Sequence, residues 1–197
     1  ATALQLIDPA VFRVIVLGGS RPPADRPPNT VTTYGMTETG SGVVYDRVPL
    51  DGVEVRIVDD EIQLRGPMLL RCYRDGRDPK TPDGWLPTGD LGTFDDGVLD
   101  VHGRADDLII TGGENVWPEP IEAVLRGVPG MIDVAVAGTP DPEWGQAVTA
   151  HVVGDVTLDA LRAAVKDVLP AFCAPRRLVL HETLPRTSLG KLRRTAL

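Results

Sequence analysis

Apolar residues fall along this chain in three different textures, and each predicts a different kind of element. Residues 11–17 read Val-Phe-Arg-Val-Ile-Val-Leu, almost continuously apolar, and run into Gly18, Gly19 and Ser20. Such a run suits an interior strand of a parallel or mixed sheet, opening into a loop where ligands collect. The following Arg21-Pro-Pro-Ala-Asp-Arg-Pro-Pro28 cannot be helix interior, since proline lacks the amide donor and clashes with the preceding turn. It reads as a linker or tight surface connection. Over 53–102 the texture changes to short alternating runs at 53–58, 61–65, 91–94 and 98–101, with Asp59-Asp60 and Asp95-Asp-Gly97 as turns. That pattern predicts a small antiparallel sheet or barrel-like subdomain.

A third texture begins after Asp106. Pro118 can open a helix whose Ile121, Val124 and Leu125 share a face, followed by strands at 132–137 and 146–153, the latter with Val148, Ala150 and Val152 pointing inward. Thr157 can cap a second helix with the stripe Leu158, Leu161, Val165, Val168 and Leu169, stopped by Pro170, and 178–180 closes the set. The order β-α-β-β-α-β describes a compact α+β domain. Two domains are expected, 1–105 and 106–197.

The chain has 197 residues, enough for one domain or two small ones. With 20 basic against 28 acidic side chains, a formal charge of −8, it lacks the clustered cations of a broad nucleic-acid surface, although a local anion site remains open. Cys72 and Cys173 have no disulfide or zinc spacing and are expected to be reduced, buried thiols of a cytoplasmic protein. No stretch approaches a membrane span of about 20 apolar residues, and the N-terminus shows no signal pattern. Because the chain starts with Ala1 and runs almost at once into an apolar stretch, it reads as a piece of a longer protein or a processed product.

Several short blocks could carry chemistry. Tyr34-Gly-Met-Thr-Glu38 offers an aromatic face for a base, a hydroxyl for phosphate and a carboxylate for Mg2+, or is simply a polar strand end. Asp90, in Thr88-Gly-Asp-Leu91, could accept two hydrogen bonds from a vicinal diol, or cap a turn after Gly89. Lys191 is a flexible ammonium able to neutralise two anionic oxygens at once, or a solvated terminal lysine. His102, His151 and His181 share no ligand spacing and read as structural, while Arg193 and Arg194 read as solvated charges.

Four blocks, Tyr34-Gly-Met-Thr-Glu-Thr39, Thr88-Gly-Asp-Leu91, Gly103-Arg-Ala-Asp-Asp-Leu-Ile-Ile-Thr-Gly-Gly-Glu-Asn115 and Pro185-Arg-Thr-Ser-Leu-Gly-Lys191, resemble the adenylate-forming acyl-CoA synthetase family in that family's order. The resemblance implies an α/β and α+β architecture: the end of an ANL-type N-terminal domain with a small β-barrel-like subdomain, a hinge, and a compact C-terminal lid. It implies the use of ATP, Mg2+ and CoA on a small carboxylic acid, no nucleic acid, no membrane span, and leaves a homodimer open. Tyr34, with Gly35 and Met36, would border the adenine, Thr37 contact phosphate, Glu38 serve the metal, and Gly18, Gly19 and Ser20 form the adenine and acyl-site turn. Asp90 would take the ribose hydroxyls and Arg104 the ribose or phosphate. Asp106 would be the hinge, Gly112 and Gly113 would border the approach of the thiol, and Lys191 would join the carboxylate to the α-phosphate. Trp144, in Asp141-Pro-Glu-Trp-Gly145, matches a family loop and is assigned to packing.

The Ile-Thr-Gly-Gly-Glu-Asn115 wording looks more like acyl-CoA and o-succinylbenzoate-CoA ligases than like peptide-synthetase adenylation domains, and Val44-Tyr-Asp-Arg-Val-Pro-Leu50 with the compact region after it most resembles actinobacterial o-succinylbenzoate-CoA ligases of menaquinone synthesis. Three features depart from the family. The phosphate-binding loop that the family places upstream is not among these residues, so the 197-residue chain alone is expected to be inactive. A proline-rich connection replaces the usual helix between Ser20 and Tyr34, and Pro120 stands where a Glu is common. Two other classes stay open: an acyl-AMP ligase or peptide-synthetase-like domain feeding a carrier protein, and a nucleotide-binding remnant without turnover.

Overall fold

A computed structural model describes residues 4, 6–19, 22, 25–188 and 190–197. The chain divides into two compact units, Ala1–His102 and Gly103–Leu197, and each is built around its own core.

The first unit holds two four-stranded sheets. One comprises β1 (Ile15–Leu17), β2 (Thr30–Gly35), β3 (Gly42–Tyr45) and β4 (Val48–Pro49) in that order, with β1 parallel to β2 and the other pairs antiparallel. The interior strand expected over 11–17 is not formed. Pro9 instead opens a 3-10 turn over Pro9–Val11, capped by the Asp8 carboxylate, and the Asn29 side-chain amide donates to the carbonyls of Pro9 (2.9 Å) and Phe12 (2.7 Å). Those bonds spend the backbone of the apolar run on a turn, leaving a three-residue strand whose Val16 is 54% exposed.

The second sheet is the antiparallel one the alternating pattern predicts: β5 (Glu54–Val58), β6 (Glu61–Arg65), β7 (Leu86–Asp95) and β8 (Val98–Arg104). It is open, with β5 and β8 at its edges, and not a barrel. Asp59 and Asp60 both take positive φ, as a tight hairpin between right-twisted strands requires, and short Asp side chains tolerate that conformation. Ile62, Leu64 and Leu99 of this sheet are buried with Val43 and Val44 of β3.

The second unit is α+β. A hairpin of β9 (Ile109–Thr111) and β10 (Glu114–Val116) precedes α1 (Pro118–Leu125), β11 (Met131–Asp141), β12 (Gly145–Gly154), α2 (Leu158–Lys166) and β13 (Arg177–Leu180). The hairpin adds one strand to the expected order. β12 is the centre of the sheet, antiparallel to β11, parallel to β13, and touching β9 where Gly145 faces Thr111. Residues 147–152 of β12 are all buried, as in a strand covered on both faces, where one covered on a single face would bury only alternate positions. Ile121 and Leu125 of α1 and Leu161 and Val165 of α2 complete the core. Thr157 caps α2 by accepting from Ala160 N–H, but the helix ends at Lys166, so Val168 lies exposed rather than in the stripe.

Cys72 and Cys173 are free thiols and only half-buried, which corrects the expected full burial; burial raises the Cys173 pKa, with Glu114 adding to it. Among the described residues no helix is long and apolar enough to cross a membrane.

Candidate functional site

In the first unit the sequence-predicted residues meet at two β-bulges. The β6/β7 register passes from Gln63↔Pro87 to Glu61↔Leu91, so two steps on β6 face four on β7 and Thr88, Gly89 and Asp90 loop out of the ladder. A bulge re-aims side chains out of the regular pleat. Glu61 stabilises this one by accepting from Gly89 N–H at 2.7 Å, while the Thr88 hydroxyl donates to Ile62 O at 2.7 Å and accepts from Asp90 N–H at 3.0 Å. Asp90 therefore lies within a strand, not after a turn. A second register shift interrupts β2/β3 between Tyr34 and Gly35. The Tyr34 hydroxyl donates to Asp90 Oδ2 at 2.8 Å, joining two blocks that are 56 positions apart. Asp90 is only 8% exposed, so this charge-assisted bond is held in a partly desolvated setting where it is strong.

Thr37 and Glu38 follow on a 3-10 turn over Thr37–Thr39, with Gly40 ending it in the left-handed region. Thr39 closes the turn: Met36 N–H donates to its hydroxyl at 2.9 Å, and that hydroxyl lies 2.6 Å from Ser41 O. Glu38 is tethered twice to one loop, through Leu70 N–H donating to its carbonyl at 2.8 Å and the Tyr73 hydroxyl donating to Oε1 at 2.7 Å. The carboxylate acceptor holds the Tyr73 phenol above its usual pKa. Nothing near Tyr73 in the sequence points to this partnership. Gly18 lies beside Thr33, and Gly19 adopts φ +80°. Ser20 lies outside the described residues.

Among the described residues no group of three or more metal-ligating side chains exists. One tethered carboxylate fits a Mg2+ that arrives coordinated by phosphates, since that ion keeps few protein ligands, and does not fit an all-protein metal cage.

The second unit holds the remaining predicted residues. Arg104 precedes a 3-10 turn over Ala105–Asp107 that contains Asp106. Gly112 and Gly113 form the β9/β10 turn with φ of +60° and +86°. Trp144 has its ring against Gly112 and under the Arg176 guanidinium, 3.9 Å from the centroid, in keeping with its assignment to packing. Lys191 is exposed on a hairpin in which Thr187 N–H donates to Lys191 O at 2.8 Å and Arg186 bridges to Leu192.

Arg194 is not the solvated charge the sequence suggests. Its side chain is 15% exposed; Nη1 donates to Glu122 Oε1 and to Val136 O, and Nε pairs with Asp107 Oδ2 at 3.2 Å. A long side chain three residues from a terminus carries no local signal of burial; only the Glu122 carboxylate, placed inward on α1, gives it a destination. His151 is buried, its Nδ1 2.9 Å from His181 Nε2, and burial, assisted by His181, lowers its pKa.

Residues 120–191 match the family model described as the AMP-binding enzyme C-terminal domain. The chain is 43% identical over 221 residues to a probable 2-succinylbenzoate–CoA ligase of Mycobacterium tuberculosis, an alignment that takes in 99% of the chain and 57% of that relative. An o-succinylbenzoate coenzyme A synthetase from Bacillus subtilis, solved in complex with AMP, superimposes with a TM-score of 0.85 at 30% identity over 100% of the chain and 48% of its own. An amide bond synthetase from Marinactinospora thermotolerans gives 0.75 at 31% identity, over 100% and 49%. The chain thus spans about half the length of the relatives it matches.

Proposed function

The chain belongs to the AMP-binding, adenylate-forming enzyme family, and from that premise we propose that it is the part of an AMP-forming acid–CoA ligase that reads the adenosine of ATP and carries the acyl group to CoA, with 2-succinylbenzoate as the acid. In the first half-reaction a carboxylate oxygen attacks the α-phosphorus of ATP, forming acyl-AMP and releasing pyrophosphate. In the second, the CoA thiol attacks the acyl carbon, and AMP leaves as the thiol proton is lost.

The Tyr34–Asp90 hydrogen bond is the observation that carries this reading. It places an aromatic ring beside a carboxylate on a bulge, a pairing suited to a base and the diol of its ribose. Thr37 and Glu38 follow directly and would serve phosphate and a phosphate-borne Mg2+, which would supply charge neutralisation at the leaving pyrophosphate. Arg104 adds a guanidinium for ribose or phosphate. Lys191 offsets the repulsion between two anions as they approach, the kind of preorganised charge that stabilises a transition state. Gly112 and Gly113 leave a turn without side chains for the pantetheine arm, and Asp106 absorbs the backbone change between half-reactions.

The choice of acid follows the relatives named as ligases of that substrate, the Mycobacterium tuberculosis and Bacillus subtilis proteins among them. In an enzyme of full family length carrying this chain, ATP–pyrophosphate exchange should depend on 2-succinylbenzoate, and CoA should then yield the thioester. Exchange with other acids only would overturn the substrate, and transfer to a carrier protein but not to CoA would overturn the acceptor.

A further inference from the structure

We propose that Arg194 is a positioning residue for Lys191: held between Glu122 and Asp107, it fixes the lysine-bearing hairpin to the core of the second unit and to the end of the 105–107 turn.

Glu122 is the key to the arrangement. It projects from the middle of α1 and is 3% exposed, yet a buried carboxylate is costly unless it is paired and hydrogen-bonded. Three donors reach it: Val136 N–H at 2.8 Å and Arg194 Nη1 at 2.5 Å on Oε1, and Arg126 Nη2 at 3.3 Å on Oε2. An apolar residue at 122 would serve packing as well or better, so a buried ion pair there is evidence of directional placement rather than of stability.

Arg194 supplies that direction. Its fork engages three acceptors on three separate elements: Glu122 on α1, the Val136 carbonyl on β11 at 3.1 Å, and Asp107. A planar guanidinium meets several acceptors in a fixed geometry, which a rotating ammonium cannot do. Burial works against its charge, but the two carboxylates more than offset that, and its pKa is raised.

The hairpin is anchored on its other strand as well. Arg186 Nη2 reaches both oxygens of Asp133 at 2.9 and 2.7 Å, and its Nη1 donates to Gly190 O at 3.0 Å. Arg193 N–H donates to Pro185 O at 2.9 Å, tying the two strands together. Lys191 thus sits between two arginine anchors, with its backbone fixed and its side chain exposed. The Arg194 anchor is the one that ends at Asp107, the neighbour of Asp106, so that the lysine-bearing hairpin is tied to the C-terminal end of the 105–107 turn.

The inference rests on the proposed role of Lys191, and two measurements separate the two. On the 197-residue chain, Arg194→Met should raise amide hydrogen exchange over residues 190–197 toward that of a fraying terminus, with Arg194→Lys and Asp107→Asn in between. In the enzyme of full family length, Arg194→Met should slow adenylation about 10²-fold, the loss that a misplacement of roughly 1 Å can produce, while thioester formation from supplied acyl-adenylate keeps its rate. Arg194→Lys should recover part of the first half-reaction. Unchanged exchange in both Arg194→Met and Asp107→Asn would overturn the proposal, as would equal loss in both half-reactions, which marks a general folding defect. If the wild-type enzyme catalyses neither half-reaction, the functional reading fails, and the exchange data alone decide whether Arg194 holds the hairpin.

Discussion

The indole of Trp144 packs against the backbone of Gly112. A Cβ built on Gly112 would fall 2.6 Å from Trp144 Cε3, and Gly112 N–H donates to the Trp144 carbonyl at 2.9 Å. The neighbouring Gly113, at φ +86°, has open space where its Cβ would be. The two glycines of one turn therefore answer to different constraints: Gly113 to backbone conformation, Gly112 to that and to the indole.

Gly112→Ala should consequently cost more than Gly113→Ala. At either site a left-handed conformation costs an L-residue about 1 to 2 kcal/mol. At Gly112 the displaced indole adds an overpacking cost of about 1 to 3 kcal/mol. Urea unfolding of the two variants measures the difference, and equal losses would show that Trp144 yields freely. In the enzyme of full family length, Gly112→Ala should also slow thioester formation more than adenylation.

Lys191→Ala should slow adenylation by roughly 10² to 10³, as loss of one preorganised charge contact typically does, and leave thioester formation from synthetic acyl-adenylate near the wild-type rate. Pyrophosphate exchange reports the first step and thioester release the second. Equal losses in the two would remove Lys191 from the adenylation chemistry.

Asp106→Pro should give the converse pattern. Proline fixes φ near −65° and removes a donor, so a turn that must change conformation between half-reactions can no longer do so. Adenylation is expected to persist while thioester formation from acyl-adenylate falls, with a thermal melt as the folding control. Survival of the second step at the wild-type rate would show that the Ala105–Asp107 turn is not the pivot.

The elements legible in the sequence are those fixed by near neighbours. Asp59-Asp60 forms its hairpin and Thr157 caps its helix because turn and cap chemistry is decided within a few residues. The run at 11–17 misled because periodicity reports which residues are apolar, not whether a partner strand covers them, and here Asn29 claims the carbonyls of Pro9 and Phe12. Tyr34 and Asp90 were identifiable by residue type, but their direct bond depends on two register shifts that no local pattern encodes. The Tyr73–Glu38 and Arg194–Glu122 partnerships were illegible for the same reason, each joining residues 35 or more positions apart.

The His151–His181 pair makes stability depend on pH in a defined direction. His151 is 4% exposed, its Nε2 has no hydrogen-bond partner among the described residues, and its Nδ1 faces His181 Nε2 at 2.9 Å, a contact that needs at least one neutral ring nitrogen as acceptor. Burial first, and the charge of His181 second, lower its folded-state pKa below the ordinary 6.5. The unfolded chain therefore binds a proton more readily than the folded one as the pH falls. The stabilising contribution is complete above pH 6.5, the unfolded value, and is lost as the pH drops below it and through the lowered folded-state pKa. Chemical denaturation midpoints of the 197-residue chain should fall between pH 7 and pH 5, and His151→Gln should flatten that dependence even though it lowers stability at pH 7. Carboxylates with ordinary pKa values titrate mostly below this window, so they do not produce the same slope. A wild-type midpoint independent of pH over that range would mean that the pair opens to water before it is protonated.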